Sequence, residues 1–286
     1  MRRLAWISIV AATTASAAPP VQDVEAPATL AVSVSATSTL ATRGKTYEPW
    51  YALGGDPTRI WCEGKVDEGI GEALVVKLAV PTRIESVTIR AGVWRSPELF
   101  RANNRITELE ISSDDGRTKK VSLREEREDV EVELWRDQVK ELRFQIAAVA
   151  KGKVNDTCIS GLDLHASGRS QIVLVADAAA APPLAPACPQ AFRAIAGCAE
   201  PALRAQLKFP FAYRRVDTRS RRFADARAAR KACTAGSFRA FVDAGAPTRA
   251  VSPAPGKVTL TSDVFDWQLV LAGASWRLAT LEDNTP

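Results

Sequence analysis

The chain has 286 residues, 46% hydrophobic and 25% charged, a balance that excludes wholesale disorder. Charge is unevenly spread: residues 18–165 hold 20 basic and 24 acidic side chains (net −4), and residues 186–286 hold 15 and 8 (net +7). No single polyanion-binding surface therefore covers the molecule, and a lone histidine, His165, excludes most imidazole chemistry.

Residues 1–17 read as an export signal. Arg2 and Arg3 form its charged region, Leu4 to Ala12 its short apolar region, and Ala15-Ser16-Ala17 a small-residue cleavage site. The mature chain is then expected to begin near Ala18 and to be secreted or periplasmic. No stretch approaches the ~20 apolar residues of a membrane span, so no transmembrane segment is expected. Residues 18–44, rich in Ala, Thr, Ser, Val and Pro, read as a flexible lead-in.

In an oxidising compartment the five cysteines are expected to pair rather than bind metal. No Cys-x-x-Cys occurs, and one histidine cannot complete a familiar zinc set. The simplest arrangement keeps bridges within each half: Cys62 with Cys158, and two of Cys188, Cys198 and Cys233 together. Which of those three is left over stays open.

Between residues 45 and 168 apolar and polar side chains alternate strictly. Val87, Ile89 and Ala91 alternate with Thr88 and Arg90; Val130, Val132 and Leu134 with Glu131 and Glu133; Leu142, Phe144 and Ile146 with Arg143 and Gln145. Leu109 and Ile111, and later Leu162 and Leu164, follow the same rule. Period two with polar outward positions predicts half-buried antiparallel strands. Turn residues such as Gly54-Gly55-Asp56-Pro57 and Asp114-Asp115-Gly116 separate them. Seven or eight short strands predict a β-sandwich or jelly roll.

Ile60-Trp61-Cys62-Glu63-Gly64 and Gly69-Ile70-Gly71-Glu72 open a longer pattern. It continues through Val87-Thr88-Ile89-Arg90-Ala91-Gly92, Trp94, Phe100, Asn103-Asn104-Arg105 and Asp156-Thr157-Cys158-Ile159-Ser160. Over about residues 47–167 this resembles the discoidin-like (F5/8 type C) glycan-binding domain attached to secreted bacterial NAD glycohydrolases, there called the translocation domain. The resemblance implies a galactose-binding-like jelly roll with a carbohydrate-facing end. Nothing downstream resembles a glycohydrolase catalytic domain, so that activity is not implied.

Trp61 is expected in the core, and Gly69 and Gly71 at turns that a Cβ would strain. Glu63 and Glu72 are expected to accept loop N–H groups or an arginine rather than to form a glycosidase pair. The glycan candidates are Trp94 and Arg95 in the loop after Ala91, with Asn103, Asn104 and Arg105 on the next connection. An aromatic face suits a sugar ring, and planar amide or guanidinium donors suit its hydroxyls. His165 should face solvent, and the acidic stretch Arg124–Glu133 a charged edge.

Residues 169–186, with Ala176 to Pro186 reading ADAAAAPPLAP, form an Ala/Pro linker expected to leave the two halves flexibly attached. Beyond it, short helices at Gln190–Ile195, Pro201–Leu207, Ala224–Cys233 and Ser237–Val242 precede three strands from Lys257 to Leu281. Helices followed by strands predict a small α+β domain over 187–286. Leu207-Lys208-Phe209-Pro210-Phe211 and Trp276-Arg277-Leu278 are similar to parts of small cone-shaped NTF2-like domains. Lys208–Lys231 holds nine basic and two acidic residues with Phe209, Phe211, Tyr213 and Phe223 interleaved. Arg219, Arg221 and Arg222 are the candidates there for contact with an anionic envelope surface rather than nucleic acid.

No nucleophile–base pair, metal set or phosphate loop is visible, so no cofactor is implied and binding is favoured over catalysis. The sequence thus predicts an exported, non-enzymatic carbohydrate-binding or cell-surface attachment protein, mainly β, with a sandwich followed by a small α+β domain. The alternative is an envelope enzyme or small-molecule binder acting through the C-terminal domain.

Overall fold

The computed structural model describes residues 28–42, 45–56, 58–169, 171–182, 184, 187–215, 218–235, 238, 247, 249–262 and 265–283. The expected export signal lies outside the described residues, as do Ser237 and the other residues of the expected helix there except Phe238.

The first unit is built on β1 (Thr29–Ala36), β2 (Ala41–Thr42), β3 (Lys45–Thr46), β4 (Trp61–Cys62), β5 (Ala73–Ala91), β6 (Arg105–Ser113), β7 (Thr118–Ser122), β8 (Val130–Glu133), β9 (Gln138–Ala150), β10 (Cys158–Ala166) and β11 (Gln171–Leu174). A short helix, α1 (Pro97–Ala102), follows β5. The long strand β5 serves two sheets. Residues 73–78 pair with β1 and β9, whereas 84–91 pair with β10 and β8. Pro81 lies between the two stretches, where the register with β9 shifts and a missing backbone donor is tolerated. One sheet runs β11-β1-β5-β9-β6-β7; the other adds β4, β10 and β8 around the second half of β5. Inward residues of both, among them Trp61, Leu74, Ile89, Leu109, Phe144 and Leu162, close one apolar core. Outward residues Thr88 and His165 meet at 2.8 Å on the solvent face.

The second unit holds α2 (Ala187–Gly197), α3 (Glu200–Gln206), β12 (Leu207–Arg215), β13 (Thr218–Phe223), α4 (Ala226–Thr234), β14 (Arg249–Ala254), β15 (Lys257–Thr261), β16 (Phe265–Ala272) and β17 (Ser275–Asp283). Its sheet runs β13-β12-β17-β16-β15-β14, with β12 parallel to β17. The helices and sheet bury Phe192, Leu203, Phe211, Phe238, Trp267 and Leu278. The fold is mainly β, a galactose-binding-like sandwich joined to an α+β unit.

Three expectations change. The flexible lead-in gives way at Thr29–Ala36, where β1 pairs antiparallel with β5 from Val32↔Leu78 to Ala36↔Leu74. The flexible linker gives way too. β11 pairs parallel with β1, and Val175, Ala178 and Leu184 are buried in the second core. Trp276 Nε1 donates to Pro182 O at 3.0 Å, and Leu174 N to Ser252 Oγ at 3.0 Å. The connector is packed because its alanines and leucine fill space between the units, which outweighs the extended tendency of its prolines. Third, Lys208–Lys231 is largely an edge hairpin, and its aromatics pack against the second core rather than facing solvent.

Both bridges stay within a half. Cys62 bonds Cys158, and Cys198 bonds Cys233, tying the end of α2 to α4. The side chain of Cys188 lies outside the described residues.

Candidate functional site

The loops at the Cys62–Cys158 end of the sandwich meet behind β5. Gly92 turns the chain out of β5 at φ 85°, a left-handed conformation that favours glycine. A Cβ there would also lie 2.7 Å from the Phe100 ring. Gly92 N donates to Cys158 O at 2.8 Å. Ser160 Oγ then donates to Gly92 O at 2.6 Å and accepts from Trp94 N at 2.9 Å.

Trp94 is half-buried, its Nε1 donating to Ala91 O at 2.8 Å. The Arg127 guanidinium sits 5.5 Å from its ring centroid and donates to Trp94 O at 2.8 Å. Arg95 is exposed; its Nε donates to Thr58 O at 2.6 Å, and its guanidinium lies 5.2 Å from the Tyr47 ring. Along the same loop Arg59 stacks against Trp50 at 4.6 Å and Tyr51 at 4.2 Å, and reaches Pro253 O of the second unit at 3.2 Å. The result is a row of half-buried rings interleaved with guanidinium groups. Each ring carries a guanidinium over one face, so aromatic surface and N–H donors lie side by side.

The other three glycan candidates do different work. Asn103 is buried and closes α1, its Nδ2 donating to Leu99 O at 2.7 Å. Asn104 is fully buried; its Nδ2 donates to Asn155 Oδ1 and Thr157 Oγ1, each at 3.0 Å, and its Oδ1 accepts from Gly152 N at 2.9 Å. Both amides are thus committed to holding the loops and cannot meet a ligand. Arg105 spends its guanidinium on Glu125 at 3.0 Å and on the carbonyls of Arg101, Asn103 and Lys151. These three position the loop surface from beneath. Tyr47, Trp50, Tyr51, Arg59 and Arg127 were not singled out from sequence. The Tyr47-Glu48-Pro49-Trp50-Tyr51 run was the available signal, a dense aromatic stretch entering the short 3-10 helix Pro49–Leu53.

Glu63 is buried, its carboxylate accepting Lys65 N at 2.6 Å and Thr157 N at 3.4 Å. Gly69 allows this, since a Cβ at that position would lie 2.4 Å from Glu63 Cγ. Glu72 instead accepts from Thr37 Oγ1 at 2.5 Å and faces Lys65 at 3.8 Å. Glu63 thus accepts loop N–H groups as expected, whereas Glu72 meets a hydroxyl and a lysine instead. Burial pushes the Glu63 carboxyl above its usual 4.5, while backbone donors from Lys65 and Thr157 only partly oppose it. A carboxyl raised on folding binds more protons folded than unfolded, so it weakens the fold as pH climbs from about 4.5 through the folded value. Glu63→Gln should therefore gain melting temperature relative to the parent as pH rises across that window. A difference that stays flat or falls between pH 4 and 7 would exclude this.

Of the anionic-surface candidates, Arg221 and Arg222 are exposed on β13, and the side chain of Arg219 lies outside the described residues. Among the described residues no group of His, Cys, Asp and Glu is arranged to hold a metal ion, and no helix is long and apolar enough to cross a membrane.

A two-sheet sandwich with its loops gathered over a bridged strand pair defines the galactose-binding-like class of domains. Residues 27–165 match the NAD glycohydrolase translocation F5/8 type C domain family. Similar solved structures include the family 32 carbohydrate-binding module of Clostridium perfringens NanJ in complex with galactose, at 19% identity and TM-score 0.36, covering 46% of this chain and 92% of that one. Another is a family 32 module of a C. perfringens family 89 enzyme in complex with GalNAc-β-1,3-galactose, at 14% identity and TM-score 0.36, covering 46% and 94%. A third is a module from a C. perfringens family 31 glycoside hydrolase, at 13% identity and TM-score 0.35, covering 51% and 99%. No curated protein matches the chain.

Proposed function

We propose that this is an exported, non-catalytic carbohydrate-binding attachment protein whose sandwich holds glycan at its loop end. The observation that carries this reading is the row of rings and guanidinium groups from Trp50 and Tyr51 through Arg59, Tyr47 and Arg95 to Trp94 and Arg127. The F5/8 type C family match supports it. Two disulfides fit the oxidising compartment that the Arg2-Arg3 signal implies. We read the chain as two domains that meet across the packed segment 171–182.

Trp94 offers the ring face and Arg95 the free edge of its guanidinium to adjacent hydroxyls. Central aromatic and arginine anchors cost more than about 1 kcal/mol when truncated. Trp94→Ala and Arg95→Ala should each weaken binding to galactose-terminated glycans about tenfold in a glycan array followed by calorimetry. Arg95→Ala should lower the melting temperature only slightly, since the contacts it loses with Thr58 O and the Tyr47 ring are solvent-exposed. Unchanged affinity in both variants would sink the assignment.

The second unit adds contact with an anionic envelope surface, supported by exposed Arg221 and Arg222. A cone-shaped, NTF2-like small-molecule site there is not favoured, because Phe192, Phe211, Phe238 and Trp267 fill the interior.

A further inference from the structure

From the run of exposed, unpaired cations along α4, we infer that Arg227, Arg230 and Lys231 form a binding surface for an acidic polysaccharide. The inference rests on the anionic-surface reading above and names its ligand class.

In the sandwich Arg83, Arg90, Arg105, Arg117 and Arg124 each pair with a carboxylate, and in the second unit Arg204 and Arg214 pair with Glu200 and Glu282. On α4, by contrast, Arg227, Arg230 and Lys231 are exposed and have no ion-pair partner among the described residues. Arg227 stands three residues before Arg230 and four before Lys231, so like charges share one helix face. Such pairs destabilise an isolated helix, and a surface built only for solubility would mix signs.

The fold holds these charges in place. Asp225 caps α4, its Oδ1 accepting from Ala228 N at 2.8 Å, and is thereby committed to the helix end. Cys233 ties the far end of α4 to Cys198, and Ala226 and Ala229 bury the opposite face. The backbone that carries the cations is thus fixed, and a ligand has only their side chains to order.

The surroundings select among polyanions. Stable membrane docking adds inserted apolar side chains to the attraction of charge. The exposed large hydrophobics among the described residues are Val66, Ile70, Val80, Leu99 and Val154, all in the sandwich. Single-stranded nucleic acid needs exposed rings for stacking, but Phe209, Phe211, Tyr213 and Phe223 pack on the second core. A hydroxylated polymer carrying spaced carboxylate, sulfate or phosphate groups needs neither. It meets the cations by charge and by N–H donors alone.

The test uses the full chain lacking its first 17 residues, with polygalacturonate as probe, neutral galactan as control and phosphatidylglycerol vesicles as competitor class. Polygalacturonate should bind at low salt and weaken steadily as salt rises. Each exposed pair contributes roughly a twofold factor. The triple variant Arg227→Glu, Arg230→Glu, Lys231→Glu should thus lose at least about tenfold in affinity for polygalacturonate and none for neutral glycan. The corresponding triple Gln variant should lose less, and stands in if charge reversal impairs folding. Undiminished polygalacturonate binding by either variant overturns the inference. So does binding of vesicles without polygalacturonate, which would leave the anionic-surface reading standing. Failure of both ligands at low salt overturns that reading as well.

Discussion

Trp61→Ala should cost about 3–5 kcal/mol of folding stability, enough to unfold a marginal domain at moderate temperature. The side chain is fully buried and β4 contributes only two residues, so the indole rather than backbone pairing anchors this stretch. Its Nε1 donates to Ser38 O at 3.1 Å, tying the loop after β1 to the core. Truncation leaves a ring-sized cavity between two sheets that cannot collapse, together with an unpaired carbonyl. Urea unfolding of the two proteins measures the difference. A loss under about 1 kcal/mol would show that the ring is not a core element.

Removing the sandwich bridge should cost at least as much. Cys62 and Cys158 are direct cross-strand partners on β4 and β10, and their sequence separation is 96. In the chain-entropy account, closing a loop of that length stabilises by about 4–5 kcal/mol, and both sites are buried among apolar neighbours. The double variant Cys62→Ala, Cys158→Ala should therefore unfold at a much lower urea concentration, with the loop end loosening first. The shorter Cys198–Cys233 span, 35 residues, should matter less. Coincident unfolding curves for parent and double variant would overturn the expectation.

The sandwich was legible because its strands have one wet face. Val87 and Ile89 inside, with Thr88 and Arg90 outside, give a period that no helix or loop reproduces. β1 escaped because its small Ala, Ser and Thr residues alternate weakly with Val32 and Val34, and pairing with β5 decides its conformation. β12 and β13 escaped for another reason. Arginines and a proline obscure their alternation, and only Phe211 and Phe223, paired across the hairpin, mark the inward face.

The site was less legible than the fold. Asparagine looks alike in sequence whether its amide meets a ligand or a backbone carbonyl, so Asn103 and Asn104 read as donors although both are buried. The arginines pose a similar ambiguity: Arg95 and Arg105 differ only in what surrounds them, and Arg105 is enclosed by Glu125 and three carbonyls. Trp94 survived as a candidate because an aromatic just past a strand end has few ways to bury both faces.

The parallel pairing of β1 with β11 determines how the protein would carry load. The chain enters β1 at Thr29, at one end of the pair, and leaves β11 at Leu174, at the other. Leu174 is also gripped by the second unit, through Ser252 Oγ and the Gly256 amide. Tension drawn between residue 28 and the second unit therefore runs along the strands instead of across them. Four residue pairs, Thr29↔Gln171 to Val32↔Leu174, are strained together, so none can open ahead of its neighbours as in peeling. The seam between the two units is thus loaded in shear, the geometry suited to a tether pulled at both ends.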